Sequence, residues 1–525
     1  MSTSTLERVS RAEIVGALSL ATDVGMSLPL ESGLRICRLA LALAEQAGID
    51  ESKRDRIYYV ALLRHVGCTA EVHSFSAIVG DELSFHDGAS RMDATSPKAM
   101  AAFTLRHLVR TNGLLGTAGK LAQIARSRAV FDEGVVAVCE VAELLAEQLG
   151  LSENVQRDLT LTIERWDGKS FRKRAKEEGV PASVRVVQIA ECAVVFDGLG
   201  GADAARAAVR ERAGSAFDPR IAEVFAKHAE TLLAPTDHLW GEVVADPGYE
   251  AGALADADVD AALGAFAQFV DLKSPFTVGH SSAVARLAQA AGEQAGLPAS
   301  DNVALGRSGL LHDLGMVAVP SPVFEKRGPL TTDERERVRV HTYQGERILA
   351  QSPALSALGA VASRHHERCD GSGYHRGVDA RAISHAARLL AAADAFQSMT
   401  EERPYRAALT AAAAAEELRA EARGGRLDGD AVECVLAAAT GRRRRRRVEH
   451  PGGLTSREVE VLRLLARGLS TKQVAAELVI TPKTADSHIQ HLYSKIGVST
   501  RAAATIFAMR HDLVDAAEAS GELPM

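Results

Sequence analysis

Aromatic side chains supply only 4% of this 525-residue chain, and alanine is abundant. Stretches such as 283–295 and 410–422 hold few strand-forming residues, a composition that argues against sheet and for an all-α fold. No apolar run approaches the roughly eighteen residues that cross a bilayer. The opening segment Met1-Ser2-Thr3-Ser4-Thr5-Leu6-Glu7-Arg8 also lacks the apolar core of a signal peptide, so no membrane partner is expected and the chain reads as cytoplasmic. Its six cysteines, Cys37, Cys68, Cys139, Cys192, Cys369 and Cys434, are scattered without a C-x-x-C pair. They read as reduced, core-filling thiols, although Cys369 lies beside the candidate site described below.

The length suggests about three domains. Net charge is -7, and it is unevenly placed. From 441 to 525 fourteen Lys and Arg face nine Asp and Glu, so this tail carries +5 and the remainder -12. Nucleic acid is the partner that such a tail fits.

Between 280 and 394 the chain places seven histidine and aspartate side chains: His280, His312, Asp313, His341, His365, His366 and Asp394. Imidazole plus carboxylate, with no thiolate, suits iron, manganese or zinc handling phosphate oxygens. Successive helical side chains point about 100° apart, so His312 can bind one ion while Asp313 bridges to a second. The apolar run Gly309-Leu310-Leu311 puts this pair at the end of a buried helix. Ionisable groups collected in such a place need a compensating ion or partner.

These residues resemble the HD-GYP branch of the HD phosphohydrolase superfamily over about 265–440. The resemblance implies an all-helical domain that hydrolyses cyclic di-GMP or another phosphodiester. His280, His312, Asp313 and Asp394 match the core metal quartet, and His341, His365 and His366 match the ligands completing a second ion. Two divalent transition-metal ions follow, iron or manganese in preference to zinc. Glu402-Arg403-Pro404-Tyr405-Arg406 also fits the family, with guanidinium groups suited to phosphate. On this reading Asp313 and Arg403 are the catalytic candidates, and Asp370, Gly371, Gly373, Tyr374, Arg403 and Arg406 the ligand-binding ones. Two positions depart from the family pattern: Met316 replaces a lysine that would face the phosphate, and His375 replaces the proline of Gly-Tyr-Pro.

The N-terminal region repeats this pattern. At a shift of 248 positions Arg38-Leu39-Ala40 falls on Arg286-Leu287-Ala288, Glu45-Gln46-Ala47-Gly48 on Glu293-Gln294-Ala295-Gly296, and Leu62-Leu63 on Leu310-Leu311. About a dozen positions in this block are identical. At a shift of 203, Glu164-Arg165-Trp166-Asp167-Gly168 falls on Glu367-Arg368-Cys369-Asp370-Gly371, which implies an insertion of about 45 residues in the first copy, in the polar 80–96 stretch and the helix after it. His280 then becomes Ser32, His312 becomes Arg64, Asp313 becomes His65, His365 and His366 become Thr162 and Ile163, and Asp394 falls near Val194. The first copy is expected to keep the fold without the metal ligands, as a packing partner, a ligand sensor or a dimer surface.

After six arginines at 442–447 comes the helix-breaking segment Pro451-Gly452-Gly453. Thr455-Ser456-Arg457-Glu458 and Ser470-Thr471-Lys472-Gln473 are capping boxes, and Thr481-Pro482 opens a third helix with threonine as cap and proline at the first helical position. This is a helix-turn-helix pattern, its third helix suited to the major groove. With Lys483-Thr484 and Lys495-Ile496-Gly497-Val498 it resembles the LuxR-type (GerE-like) DNA-binding domain. By position Gln473, Lys483, Thr484, Ser487, His488, His491 and Lys495 are candidates for phosphate or base contact. The family usually has valine and often a basic residue where this chain has Ala485-Asp486. The arginine run reads equally as a solubilising linker or a DNA-attracting arm.

The expected division is 1–250, a degenerate HD-like domain; 251–440, an HD-GYP-like domain; 441–451, the linker; and 452–525, the helix-turn-helix. The expected partners are double-stranded DNA and a nucleotide or cyclic dinucleotide, with a second copy of the chain as an open option. Two functions compete: a transcriptional regulator with a working phosphohydrolase, and a non-catalytic nucleotide sensor that uses the same pocket.

Overall fold

The computed structural model describes residues 9–70, 72–93, 96–126, 128–245, 253–440 and 450–514. The opening segment 1–8 and the arginines at 442–447 lie outside the described residues. Those described form helices and no strand, in keeping with the scarcity of aromatic residues and the abundance of alanine. The chain divides into two compact units, 8–258 and 259–525.

The repeat is visible in each unit by itself. In the first, helix Ser32–Gln46 is entered through Glu31 at φ 72°, and Asp23 accepts from the Gly33 amide at 3.0 Å. In the second, helix His280–Gln294 is entered through Gly279 at φ 79°, and Asp271 accepts from the Ser281 amide at 3.0 Å. Both carboxyl groups satisfy first-turn amides that the helix itself leaves unpaired. A second shared detail is a close backbone approach. A Cβ on Gly67 would fall 1.9 Å from the Val138 carbonyl oxygen, and one on Gly315 1.9 Å from that of His341, so both contacts need glycine. The extra length in the first copy therefore falls between 67 and 138, where helix Pro97–Arg126, broken at Gly113, supplies it.

Burial pushes the Asp23 carboxyl up from 3.8 to about 7, against the lowering pull of Arg64 and the backbone amides. A carboxyl raised in the folded state adds stability that is complete below pH 3.8 and lost as pH rises to about 7. Asp23→Asn should remove this dependence. Melting curves across that window should show the variant gaining on the wild type by on the order of a few kcal/mol, and parallel pH profiles would refute the assignment.

In the second unit one core gathers Val284, Ala288, Leu305, Leu389, Leu390 and Val432. A separate core gathers Val459, Leu462, Val474, Ile489 and Leu492 from helices Ser456–Ala466, Thr471–Glu477 and Pro482–Ile496. Both expected capping boxes are present, Thr481 caps the third helix by accepting from the Thr484 amide, and Gly497 ends it at φ 72°. This small bundle rests on the larger core through the Arg467–Glu402 pair at 2.8 Å, an Arg286–Asp512 pair, and Val514 packed near Gly279. None of these contacts uses the third helix.

Candidate metal centre and nucleic-acid interface

The close packing of Gly315 against His341 joins the short 3-10 segment Leu314–Ala318 to helix His341–Leu349 and so draws His341 to Asp313. Helix Ala299–Leu311 delivers His312, and helix His385–Thr400 delivers Asp394. His365 and His366 follow helix Pro353–Ala362. Ligand-type atoms lie within 4.8 Å of one another in three groups: His280, His312 and Asp394; His341, His365 and His366; and His312, Asp313 and His365. All seven expected ligands are therefore brought together, with Asp313 between the sets: its Oδ2 is 3.4 Å from His312 Nε2 and its Oδ1 3.4 Å from His341 Nε2.

Tautomers test whether a metal fits. A carbonyl oxygen only accepts, so a ring nitrogen bonded to one carries the proton. His312 Nδ1 donates to the Gly309 carbonyl at 2.8 Å, His365 Nδ1 to Ala362 at 2.7 Å, and His341 Nδ1 to Val338. In the neutral rings each Nε2 is then a bare lone pair. The Nε2 atoms of His341 and His365 face each other at 3.2 Å, and buried His312 Nε2 has no hydrogen-bond partner among the described residues. Opposed lone pairs repel unless a cation lies between them, so this donor set fits metal ions.

The electrostatics divide the site: burial disfavours the charged form of His280 and His312, yet the carboxylates beside them, Glu401, Asp313 and Asp394, outweigh it and raise both in the metal-free site. Burial and the neighbouring imidazoles hold His365 and His366 well below the ordinary histidine range, and burial lowers His341. All three are kept neutral, the ligating form. Burial opposes ionisation of Asp313 and Asp394, yet the surrounding histidines outweigh it. Asp313 is held well below the usual carboxylate range and Asp394 at about 2.

The corresponding place in the first copy holds an Arg64–Glu191 ion pair joined by the His65 ring. Arg64 Nε lies 3.2 Å and His65 Nε2 2.8 Å from the same oxygen of Glu191. Ser32 is buried and donates to the Pro29 carbonyl, and Thr162 donates to Leu159. One expectation needs correction. The shift of 203 positions puts Glu191 on Asp394 and Val138 on His341; Val194 is a core residue. A carboxylate therefore survives at that position, where it neutralises Arg64 instead of binding an ion.

In the small bundle Lys483, Thr484, Ser487 and His491 are exposed on helix Pro482–Ile496, with His488 half-buried and Asp486 exposed among them. Three candidates have partners already. The Thr484 hydroxyl lies 2.8 Å from that of Thr481. Gln473 Oε1 accepts from the Ser470 amide at 2.8 Å, and Lys495 Nζ lies 2.6 Å from Glu458 Oε2.

Comparison with known proteins finds relatives for both regions. Residues 264–431 match the HD domain family, and residues 453–508 match the bacterial regulatory proteins of the luxR family. The chain is an HD-domain protein with a C-terminal LuxR-type helix-turn-helix. A 3'3'-cGAMP-specific phosphodiesterase 3 of Vibrio cholerae is 28% identical over 414 residues, 76% of this chain and 88% of that protein. A cyclic di-GMP phosphodiesterase of Pseudomonas aeruginosa is 41% identical over 140 residues, 26% of this chain and 34% of that one. The crystal structure of a cyclic GMP-AMP-specific phosphodiesterase of V. cholerae shares the fold at a TM-score of 0.56 and 24% identity, covering 82% of this chain and 98% of that one. The chain is thus a homologue of the HD-GYP cyclic dinucleotide phosphodiesterases.

Within this HD domain several expected ligand contacts have other partners. Arg406 donates to the carbonyls of Met399 and Glu401 at 3.1 Å, capping the end of the helix that carries Asp394. Arg403 donates to the Phe276 carbonyl and, at 2.9 Å, to Glu401. Asp370 accepts from Ser372 and shapes a turn completed by Gly371 at φ 80°. Gly373 lies where a Cβ would fall 2.4 Å from the Arg368 nitrogen. Tyr374 stacks on His366 at 4.7 Å. At the two departures, Met316 is half-buried and His375 is held between Thr342 and Glu346 at 3.0 and 3.1 Å.

Three residues escaped the sequence reading. Glu401 accepts from His280 Nδ1 at 2.8 Å, fixing that ring so that Nε2 faces Asp394 at 3.3 Å. It lies just past the end of the helix that carries Asp394, and no local pattern marks it. Lys273 is buried and donates to the Val317 and Val319 carbonyls at 2.9 and 2.7 Å, bracing the segment after Asp313. Buried Glu367 accepts from the Arg376 and Val378 amides at 2.8 and 3.0 Å, folding the loop that carries Tyr374.

Proposed function

We propose that the chain is a DNA-binding transcriptional regulator whose HD domain is a metal-dependent phosphodiesterase for a cyclic dinucleotide, arranged as a degenerate HD-like domain (1–250), the HD-GYP-like domain (251–440), a linker (441–451) and the helix-turn-helix (452–525). The opposed Nε2 atoms of His341 and His365 carry this reading, because the pair makes physical sense around a cation. His280, His312 and Asp394 would hold one ion, His341, His365 and His366 a second, and Asp313 both. Bound there, a pair of divalent ions, iron or manganese in preference to zinc, would polarise a phosphodiester oxygen and acidify a water. Glu401 and Arg403 act as positioning residues, since Arg403 holds Glu401 and Glu401 holds the His280 ring. The names of the relatives from V. cholerae and P. aeruginosa support 3'3'-cGAMP or cyclic di-GMP as the substrate class.

The test is hydrolysis of both dinucleotides by the full chain with added manganese or ferrous iron. Wild type should turn over at least one, and His312→Ala should reduce the rate to background. The same rate in wild type and variant would overturn the catalytic reading.

A second reading, in which the pocket senses a nucleotide without turnover, is favoured by one contact region. The helix-turn-helix rests on Glu402, next to the partner of His280, and near Gly279, which precedes it. A ligand that shifts either segment differently between two dispositions of the bundle shifts the balance between them. Binding without turnover under either metal would select this reading.

A further inference from the structure

The cations around the metal centre are almost all spent on the protein itself. Arg403 and Arg406 brace carbonyls and Glu401. Arg368 Nη1 donates to the His365 and Glu367 carbonyls at 3.0 and 2.9 Å, and Arg376 pairs with Glu346 at 2.8 Å. At 316 the chain has methionine, which carries no charge. Arg339, at the end of helix Thr332–Arg339, differs from these. Its guanidinium carbon stands 5.1 Å from the centroid of the Tyr374 ring, which stacks in turn on His366 with an interplanar angle of 29°. Its one ion pair among the described residues is with Glu336 on the same helix, at 3.2 Å, and the two side chains are 41% and 58% exposed. Such a pair is weak and gives way to a better anion. Stacking on an aromatic face fixes the plane of a guanidinium while leaving its edge donors available.

Resting on the phosphodiesterase reading, we propose that Arg339 holds the second phosphate of a cyclic dinucleotide whose first phosphate lies at the metal centre. The Tyr374 ring touches both Arg339 and His366, so the guanidinium lies near the ligands without being one of them. A cyclic dinucleotide carries its two phosphates on one macrocycle, so an anion at the ligands presents another at a distance from them. Arg339 thereby distinguishes substrates with two phosphates from those with one. It binds substrate and does not take part in bond breaking.

The experiment uses the full chain loaded with manganese, comparing wild type, Arg339→Ala and Arg339→Lys. Three readouts are taken: metal content, hydrolysis of bis(p-nitrophenyl) phosphate, and calorimetric binding and hydrolysis of cyclic di-GMP. Losing a charge-assisted hydrogen bond should raise Kd and KM for cyclic di-GMP in Arg339→Ala by roughly 10- to 100-fold. Arg339→Lys should recover part of this, and metal content and single-phosphate hydrolysis should stay at wild-type levels. Wild-type affinity in Arg339→Ala, or an equal loss with both substrates, would overturn the proposal. If wild type binds cyclic di-GMP but hydrolyses nothing, the phosphodiesterase reading falls while the Kd comparison still decides the role of Arg339. If wild type does not bind it, both fall together.

Discussion

Asp313→Ala should lose most of its transition metal, while His65→Ala, at the matching position of the first copy, should keep the wild-type content of about two ions per chain. Asp313 is the carboxylate shared by the two ligand sets, with its oxygens 3.4 Å from His312 and from His341. Removing it leaves buried imidazoles facing one another without the negative charge that offsets two cations. His65 instead faces Glu191 at 2.8 Å, beside Arg64, and a cation placed there would meet a guanidinium. Glu401→Gln provides a graded control. Of the seven candidate ligands it touches only His280, so metal affinity should fall by roughly 10- to 100-fold, as when an outer partner of a ligating histidine is lost. Elemental analysis of the purified full chain and its three variants measures all of this. Full metal in Asp313→Ala, or stoichiometric metal in an isolated 1–240 fragment, would defeat the assignment.

The seven side chains that the structure gathers were legible as a candidate set because a metal centre needs particular side chains, and side chains are what a sequence lists. The groups that orient them were harder to see. Glu401 serves His280 across 121 positions, and nothing in its neighbourhood sets it apart from other carboxylates at helix ends. Arginine is ambiguous in a related way. Arg403 and Arg406 have the chemistry to hold phosphate, yet both lie where carbonyls at a helix end also attract a guanidinium. The first copy was readable through short-range identities, and the shift of 203 that aligns Glu164–Gly168 already puts Glu191, not Val194, on Asp394; the place of the insertion between the two aligned blocks was harder to read. The structure resolves this through backbone packing, since Gly67 approaches Val138 as Gly315 approaches His341. The helix-turn-helix was the easiest part, because caps such as Thr455–Glu458 are local contacts between residues three apart.

DNA binding by the full chain should depend steeply on salt, and the exposed face of helix Pro482–Ile496 should divide into residues that attract and residues that read. Lys483 is exposed in the first turn, where free helix amides also favour phosphate. Lys483→Ala should therefore weaken binding to every duplex alike and lower the salt slope by about one. Ser487 and His488 lie one turn further in, where side chains reach base edges. Their alanine variants should alter which sequence is preferred, by roughly 1–3 kcal/mol at the affected position. Asp486, exposed on the same face, should repel the backbone, and Asp486→Asn should tighten binding without changing the preferred sequence. Lys495 needs separate treatment, because its ammonium helps hold the Glu458 carboxyl at about 2, against the opposing effect of burial. That carboxylate also closes the capping box at Thr455, so Lys495→Ala should lower thermal stability as well as affinity, whereas Lys483→Ala should lower affinity alone. Affinities measured across a salt series, with melting curves for each variant, separate these outcomes. Binding indifferent to salt, or promoter binding that survives deletion of the helix-turn-helix, would show that the chain meets DNA elsewhere.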